Sequence, residues 1–207
     1  MRLPPLAGPA SLLALAASLA AVAVAGPARA AYTVTFSQAG SDVVASGSGT
    51  IDINGLTLDR SATSVAAVYP VYGTEATGAT GAIALYGGAI SGPPNLGPGS
   101  LTYASMGTGD IVGVSVDVLG SPNTVGVPAS YVSGASLSDT ATYAGQTFAS
   151  LGLTPGSYVY SLGSGANADT FTVDVGGSAP VPEPASLALL GTGLLGLGTV
   201  ARRRKGA

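Results

Sequence analysis

The side chains that could carry chemistry here are mainly carboxylates, hydroxyls and phenols. Residues 31–179 hold eight Asp and one Glu, Glu75, against a single cation, Arg60, and the whole chain lacks His, Cys and Trp. Without His or Cys there is no Ser-His or Cys-His nucleophile, no zinc site of the usual kind and no disulfide. The absence of Lys from 31–179 excludes a Ser-Lys dyad as well. Glycoside hydrolysis would need two carboxylates flanking one bond. Local spacing offers no such pair. Asp169 and Asp174 are five apart and face opposite sides of a strand, while Asp52 and Asp110 share their faces with Asn54 and Val112. The residue inventory predicts a protein that is not an enzyme and has no resident cofactor.

Two binding chemistries remain open. Asp, Asn and loop carbonyls are calcium ligands, although no Asp-x-Asp-x-Asp-Gly loop occurs and solubility accounts for the acids equally well. Tyr rings offer flat apolar faces to sugars, and Tyr69, Tyr72, Tyr158 and Tyr160 fall in expected strands or at their ends. Tyr158 and Tyr160 flank Val159, so both rings point to one face. A sheet must place something inside, and that face is read as core. The alternative function is thus a carbohydrate- or calcium-binding extracellular module. A formal charge of −3 gives no electrostatic reason to bind nucleic acid.

The elements that must position these residues are strands. Apolar and hydroxyl residues alternate over 32–37 and 50–54, with further candidates at 64–72, 81–86, 110–119, 130–133 and 141–148. The clearest pair is 157–162 with 169–175, a hairpin closed by the Gly-rich loop 163–167. Helix formers are scarce. Short strands separated by Gly, Pro and Ser predict an all-β fold, a β-sandwich of jelly-roll or immunoglobulin-like kind, with a flattened or solenoid sheet as the alternative.

The charges divide the chain into three zones. One cation against nine acids gives 31–179 a net −8, whereas both ends are basic. Residues 1–30 read as a signal peptide: Arg2, then an uncharged run over 11–25, then Ala28-Arg29-Ala30, which predicts cleavage before Ala31 by signal peptidase after Sec export. In the third zone, 180–207, the prolines of Pro182-Glu183-Pro184 keep the backbone extended. Residues 185–201 follow without a charge, and as a helix they would span roughly 25 Å, enough to cross a thin bilayer. Arg202, Arg203, Arg204 and Lys205 then form a basic tail of the kind that stays cytoplasmic. The glycines Gly191, Gly193, Gly196 and Gly198 weaken this helix and give it a smooth packing face.

Taken together, Pro182-Glu183-Pro184, the glycine-bearing apolar segment and the basic tail resemble the PEP-CTERM sorting signal. The resemblance implies recognition by an exosortase, a membrane protease-transpeptidase that cuts near Pro-Glu-Pro. It also implies an inner-membrane intermediate that is passed on to the cell surface or an exopolysaccharide matrix. No Leu-Pro-x-Thr-Gly motif competes with it. Residues 32–57, 151–158 and 163–171 are also similar to segments of PEP-CTERM proteins. Relatives often carry Trp in the strand after Pro155-Gly156, where this chain has Tyr158 and Tyr160. The resemblance implies an exported, all-β family of unassigned biochemical role and transfers no catalytic residue; with the residue inventory, the expected role is that of a structural or matrix-associated protein.

Overall fold

The computed structural model describes residues 31–116 and 120–176. Two seven-stranded sheets make up this body. The first runs in the order β7 (Ile90–Ser91), β13 (Gly156–Leu162), β14 (Asp169–Val175), β1 (Ala31–Ala39), β2 (Asp42–Thr50), β12 (Ser136–Tyr143), β9 (Met106–Gly109). The second runs β3 (Thr57–Ser64), β6 (Gly81–Gly87), β11 (Thr124–Pro128), β10 (Val112–Ser115), β5 (Thr74–Thr77), β4 (Ala67–Tyr69), β8 (Thr102–Tyr103). A single α-helical turn, α1 (Phe148–Leu151), is present among the described residues. The all-β expectation holds. Seven strands per layer is wider than the sheets of an immunoglobulin domain, and the extra width comes from edge strands as short as two residues.

Alternation decides which face is inside. Tyr32, Val34 and Phe36 of β1, Val43 and Ala45 of β2, and Leu137, Ala141 and Tyr143 of β12 point inward with Phe171, Val173 and Val175 of β14. They meet Val68, Val112, Val114, Val125 and Val127 of the second sheet in one core. Phe171 is its aromatic hub, 5.1 Å from the ring of Tyr32 and 6.2 Å, edge-on, from that of Tyr160. The 157–162 and 169–175 hairpin forms as expected, pairing Ser157 with Asp174 and Leu162 with Asp169.

One pairing is parallel among the twelve between described strands. β1 lies beside β14, with Ala31 opposite Thr170 and Phe36 opposite Val175. Antiparallel neighbours β2 and β13 flank this pair. The chain therefore enters β1 at one end of the sheet and leaves β14 at the other, where Gly176 N donates to Phe36 O at 2.9 Å.

Several expected strands end early, each for a local reason. Residues 51–54 are not a strand, because Asp52 Oδ1 accepts from Asn54 N at 2.9 Å and closes an Asx-type turn. The 64–72 segment breaks into the end of β3, the three residues of β4, and a 3-10 turn over Pro70–Tyr72 that Gly73 ends with a φ of +55°. Residues 130–133 join two turns, one closed by Tyr131 N donating to Pro128 O and the next by Ala135 N donating to Val132 O. Past Tyr143 the chain turns into α1, whose start is capped reciprocally by Thr147 and Ser150. Within 110–119 the strand is Val112–Ser115, and 117–119 lie outside the described residues.

Replacing Phe171 by Ala removes the ring on which Tyr32 and Tyr160 both pack. The expected loss is about 3–5 kcal/mol of unfolding free energy, read from the denaturant midpoint. A loss below about 1 kcal/mol would show that the aromatic hub does not organise the core.

Candidate functional site

The polar groups brought together by the fold lie between the two sheets. Asp139 occupies an inward position of β12 between Leu137 and Ala141, and Glu75 and Thr77 are the inward residues of β5. Tyr32 and Tyr143 complete the group, and all five are buried. The Tyr32 hydroxyl donates to Asp139 Oδ2. Its path crosses β2, because Tyr32 lies on β1 whereas Asp139 lies on β12. Gly47, paired with both Val34 and Asp139, makes that crossing possible: a methyl group there would overlap the Tyr32 hydroxyl and Asp139 Oδ1.

The remaining oxygens of this cluster are unsatisfied by the protein. Glu75 Oε1 and Oε2, Thr77 Oγ1, Asp139 Oδ1 and Tyr143 Oη have no hydrogen-bond partner. Thr77 faces the Tyr32–Asp139 pair without reaching hydrogen-bond geometry to either. With no cation alongside, burial drives Glu75 well above the ordinary carboxyl range, and the charge of Asp139 adds to the effect. Burial also raises Asp139, opposed by the Thr77 and Tyr32 hydroxyls and reinforced by Asp110. Tyr32, Tyr143 and Tyr160 are all raised, first by burial; Asp139 then acts on Tyr32, and Glu75 on all three.

Acids outside this cluster hold loops in place. Asp169 Oδ2 accepts from Asp52 N at 2.7 Å and its Oδ1 from Thr170 N, while Asp52 Oδ1 also receives Ser133 Oγ. Asp42 accepts from Gly145 N, and Asp110 from Ser138 N. Asp169 and Asp174 face opposite sides of β14 as their spacing requires. Tyr160 points inward, its hydroxyl donating to Gly73 O at 3.0 Å, and Tyr158 is half-buried on the same side, while Val159 faces outward. The two rings are core and form no outward platform.

A second feature lies on the outer face of the second sheet. Register places Arg60, Leu85, Gly126, Gly113 and Ala76 in one row across β3, β6, β11, β10 and β5. The next row carries Thr124, Ser115 and Thr74, with Thr74 Oγ1 donating to Ser115 Oγ at 3.2 Å. All of these except Gly126 line a groove of about 200 Å³. Its only cation, Arg60, is bonded to Asp59 at 2.6 Å.

The Glu75–Asp139 pair escaped the sequence reading because 64 residues separate its members. Alternation did carry a trace of it. Leu137-x-Asp139-x-Ala141-x-Tyr143 sets an acid among inward apolar positions, and that parity marks a carboxylate aimed at a core.

Gly47→Ala should therefore destabilise the body by about 1–3 kcal/mol through overpacking. Gly81→Ala is the control, since an added Cβ there meets nothing closer than 3.7 Å; equal denaturant midpoints for the two variants would refute the crossing. With divalent ions chelated, stability should also fall as pH rises. The folded body keeps protons on Glu75 and Asp139 that unfolded carboxyls release near about pH 4. Its advantage is thus complete below that pH and is lost as pH climbs through the raised folded values. Asp52 shifts downward, through the Asn54 amide first, but it lies near the surface and is screened. Thermal melts between about pH 4 and about pH 8 test this, and a midpoint that climbs with pH would contradict it.

Of the residues expected to direct processing, Ala31 alone is described: it is the exposed first residue of β1, one position before the fully buried Tyr32. Ala28, Ala30, Pro182, Glu183, Pro184 and the tail Arg202 to Lys205 lie outside the described residues, as do the expected spans 1–30 and 185–201. Comparison with curated proteins and with solved structures gave no match. The family model for the PEP-CTERM protein-sorting motif matches residues 180–205, which begin four positions after Gly176. The chain carries a PEP-CTERM sorting motif, which implies an exported protein that is processed by an exosortase and routed through the membrane to the cell surface.

Proposed function

We propose that residues 31–179 are a non-enzymatic structural module of the cell surface or the exopolysaccharide matrix, exported through Sec and released from the inner membrane by an exosortase. The observation that carries this reading is the sorting motif at 180–205, placed directly after a body with its own core. Signal peptidase cuts before Ala31, leaving β1 intact. The helix over 185–201 holds the intermediate in the inner membrane, with Arg202, Arg203, Arg204 and Lys205 in the cytoplasm. The exosortase then cuts near Glu183, where flanking prolines keep the backbone out of helix and sheet.

Carboxylate placement supports a structural role. Glu75 and Asp139 are sealed between the sheets, and Asp42, Asp52, Asp110 and Asp169 are engaged by backbone amides. The hydroxyl row of Thr124, Ser115 and Thr74 beside Gly113 favours a second reading, in which the outer groove contacts saccharides of the matrix.

Intact mass and fractionation in the native host, with and without the exosortase, test the proposal. The expected product starts at Ala31, ends near Pro182 and lies outside the cell, held with the polysaccharide after washing. Without the exosortase it should keep Arg202 to Lys205 and stay in the inner membrane. A chain that keeps its tail in the membrane in both strains would overturn the reading.

A further inference from the structure

We propose that the two sheets are joined by one buried calcium ion, held by Glu75, Thr77 and Asp139. Glu75 presents both carboxylate oxygens, Thr77 its Oγ1 and Asp139 its Oδ1, each closed to solvent and without a protein partner; the Tyr143 hydroxyl is unpartnered in the same cluster. These groups come from both layers, β5 of the second sheet and β12 of the first, two strands that are in contact across the core. The cluster belongs to the folded body and does not depend on the sorting reading.

Donor chemistry selects the ion. Every candidate ligand is oxygen and the chain has no His or Cys, so the set suits a hard cation. One doubly charged ion neutralises the two carboxylates. No cationic side chain among the described residues does so, because Arg60 sits at the surface on the outer row with Asp59. Magnesium demands near-ideal octahedral geometry and usually keeps several waters, which a site sealed by Tyr32 and Tyr143 disfavours. Calcium accepts six to eight oxygens in irregular arrangements. The unpartnered oxygens supply most of that set, and a buried water can complete it.

The test uses the full-length chain purified in detergent without chelator. Elemental mass spectrometry should find one calcium per chain, and unfolding should occur at a higher temperature in calcium than in EDTA. Glu75→Gln, which keeps the shape but removes one charge, should weaken calcium binding at least tenfold. Asp52→Asn, at the surface, should leave it unchanged. Terbium, excited through tyrosine and displaced by calcium, gives an independent reading of the same site. If Glu75→Gln fails to fold, Thr77→Val removes one ligand oxygen at nearly constant shape and takes its place. Calcium-free protein that melts identically in calcium and EDTA overturns the proposal, and so does calcium that both cluster variants retain at full affinity.

Discussion

The contact on which the rest of the first sheet depends is the hydrogen bond from Tyr32 to Asp139. It spans three strands, β1, β2 and β12, and so fixes their relative positions. It also buries a phenol and a carboxylate whose removal from water costs several kcal/mol when unpaired. Everything around it follows. Gly47 must lack a side chain to let the phenol pass, which explains why a central strand reads Ala-Ser-Gly-Ser-Gly, a sequence that propensity alone would leave outside a sheet. Phe171 packs against the Tyr32 ring from β14, and Tyr160 packs against Phe171 from β13. The aromatic chain thus transmits the position of Tyr32 across three neighbouring strands, β1, β14 and β13.

Glu75 and Thr77 bring the second sheet into the same constraint. Unpartnered buried oxygens are rare in native proteins because each forfeits its hydration. Here five of them belong to inward-facing residues of the two layers, Glu75, Thr77, Asp139 and Tyr143. Apolar contact surrounds the cluster, with Val68, Val112, Val114, Val125 and Val127 facing the aromatic side. Hydrophobic burial supplies the stability, and the polar cluster fixes which arrangement of the two sheets is adopted, since sliding either layer would move an acid onto apolar neighbours.

Chain direction links the fold to sorting. Because β1 and β14 run parallel, the start of the body and its exit toward residues 180–205 lie at opposite ends of the central strands. Cleavage before Ala31 and cleavage near Glu183 would then act at separate ends of the body. The second cut would fall in a proline-rich stretch that starts a few residues after β14 closes on β1.

What the sequence settled by itself is what depends on local pattern and terminal signals. Alternation identified the 157–162 and 169–175 hairpin, the common face of Tyr158 and Tyr160, and the all-β class. Composition supplies no His or Cys for a Ser-His or Cys-His nucleophile or a usual zinc site, and Pro182-Glu183-Pro184 with its flanks identified the sorting motif. Register, sheet order and the burial of Glu75 and Asp139 were decided only in three dimensions. Local reasoning placed strands at 50–54 and 130–133, where side-chain hydrogen bonds from Asp52 and a turn at Tyr131 divert the backbone. It passed over β2, β5 and β11, whose Gly, Ser and Thr residues make sense only beside their partners. The physical reason is range. A turn or a hairpin is fixed by neighbours a few residues apart, whereas Tyr32 and Asp139 are 107 residues apart and meet only once β2 lies between their strands with a glycine at the crossing.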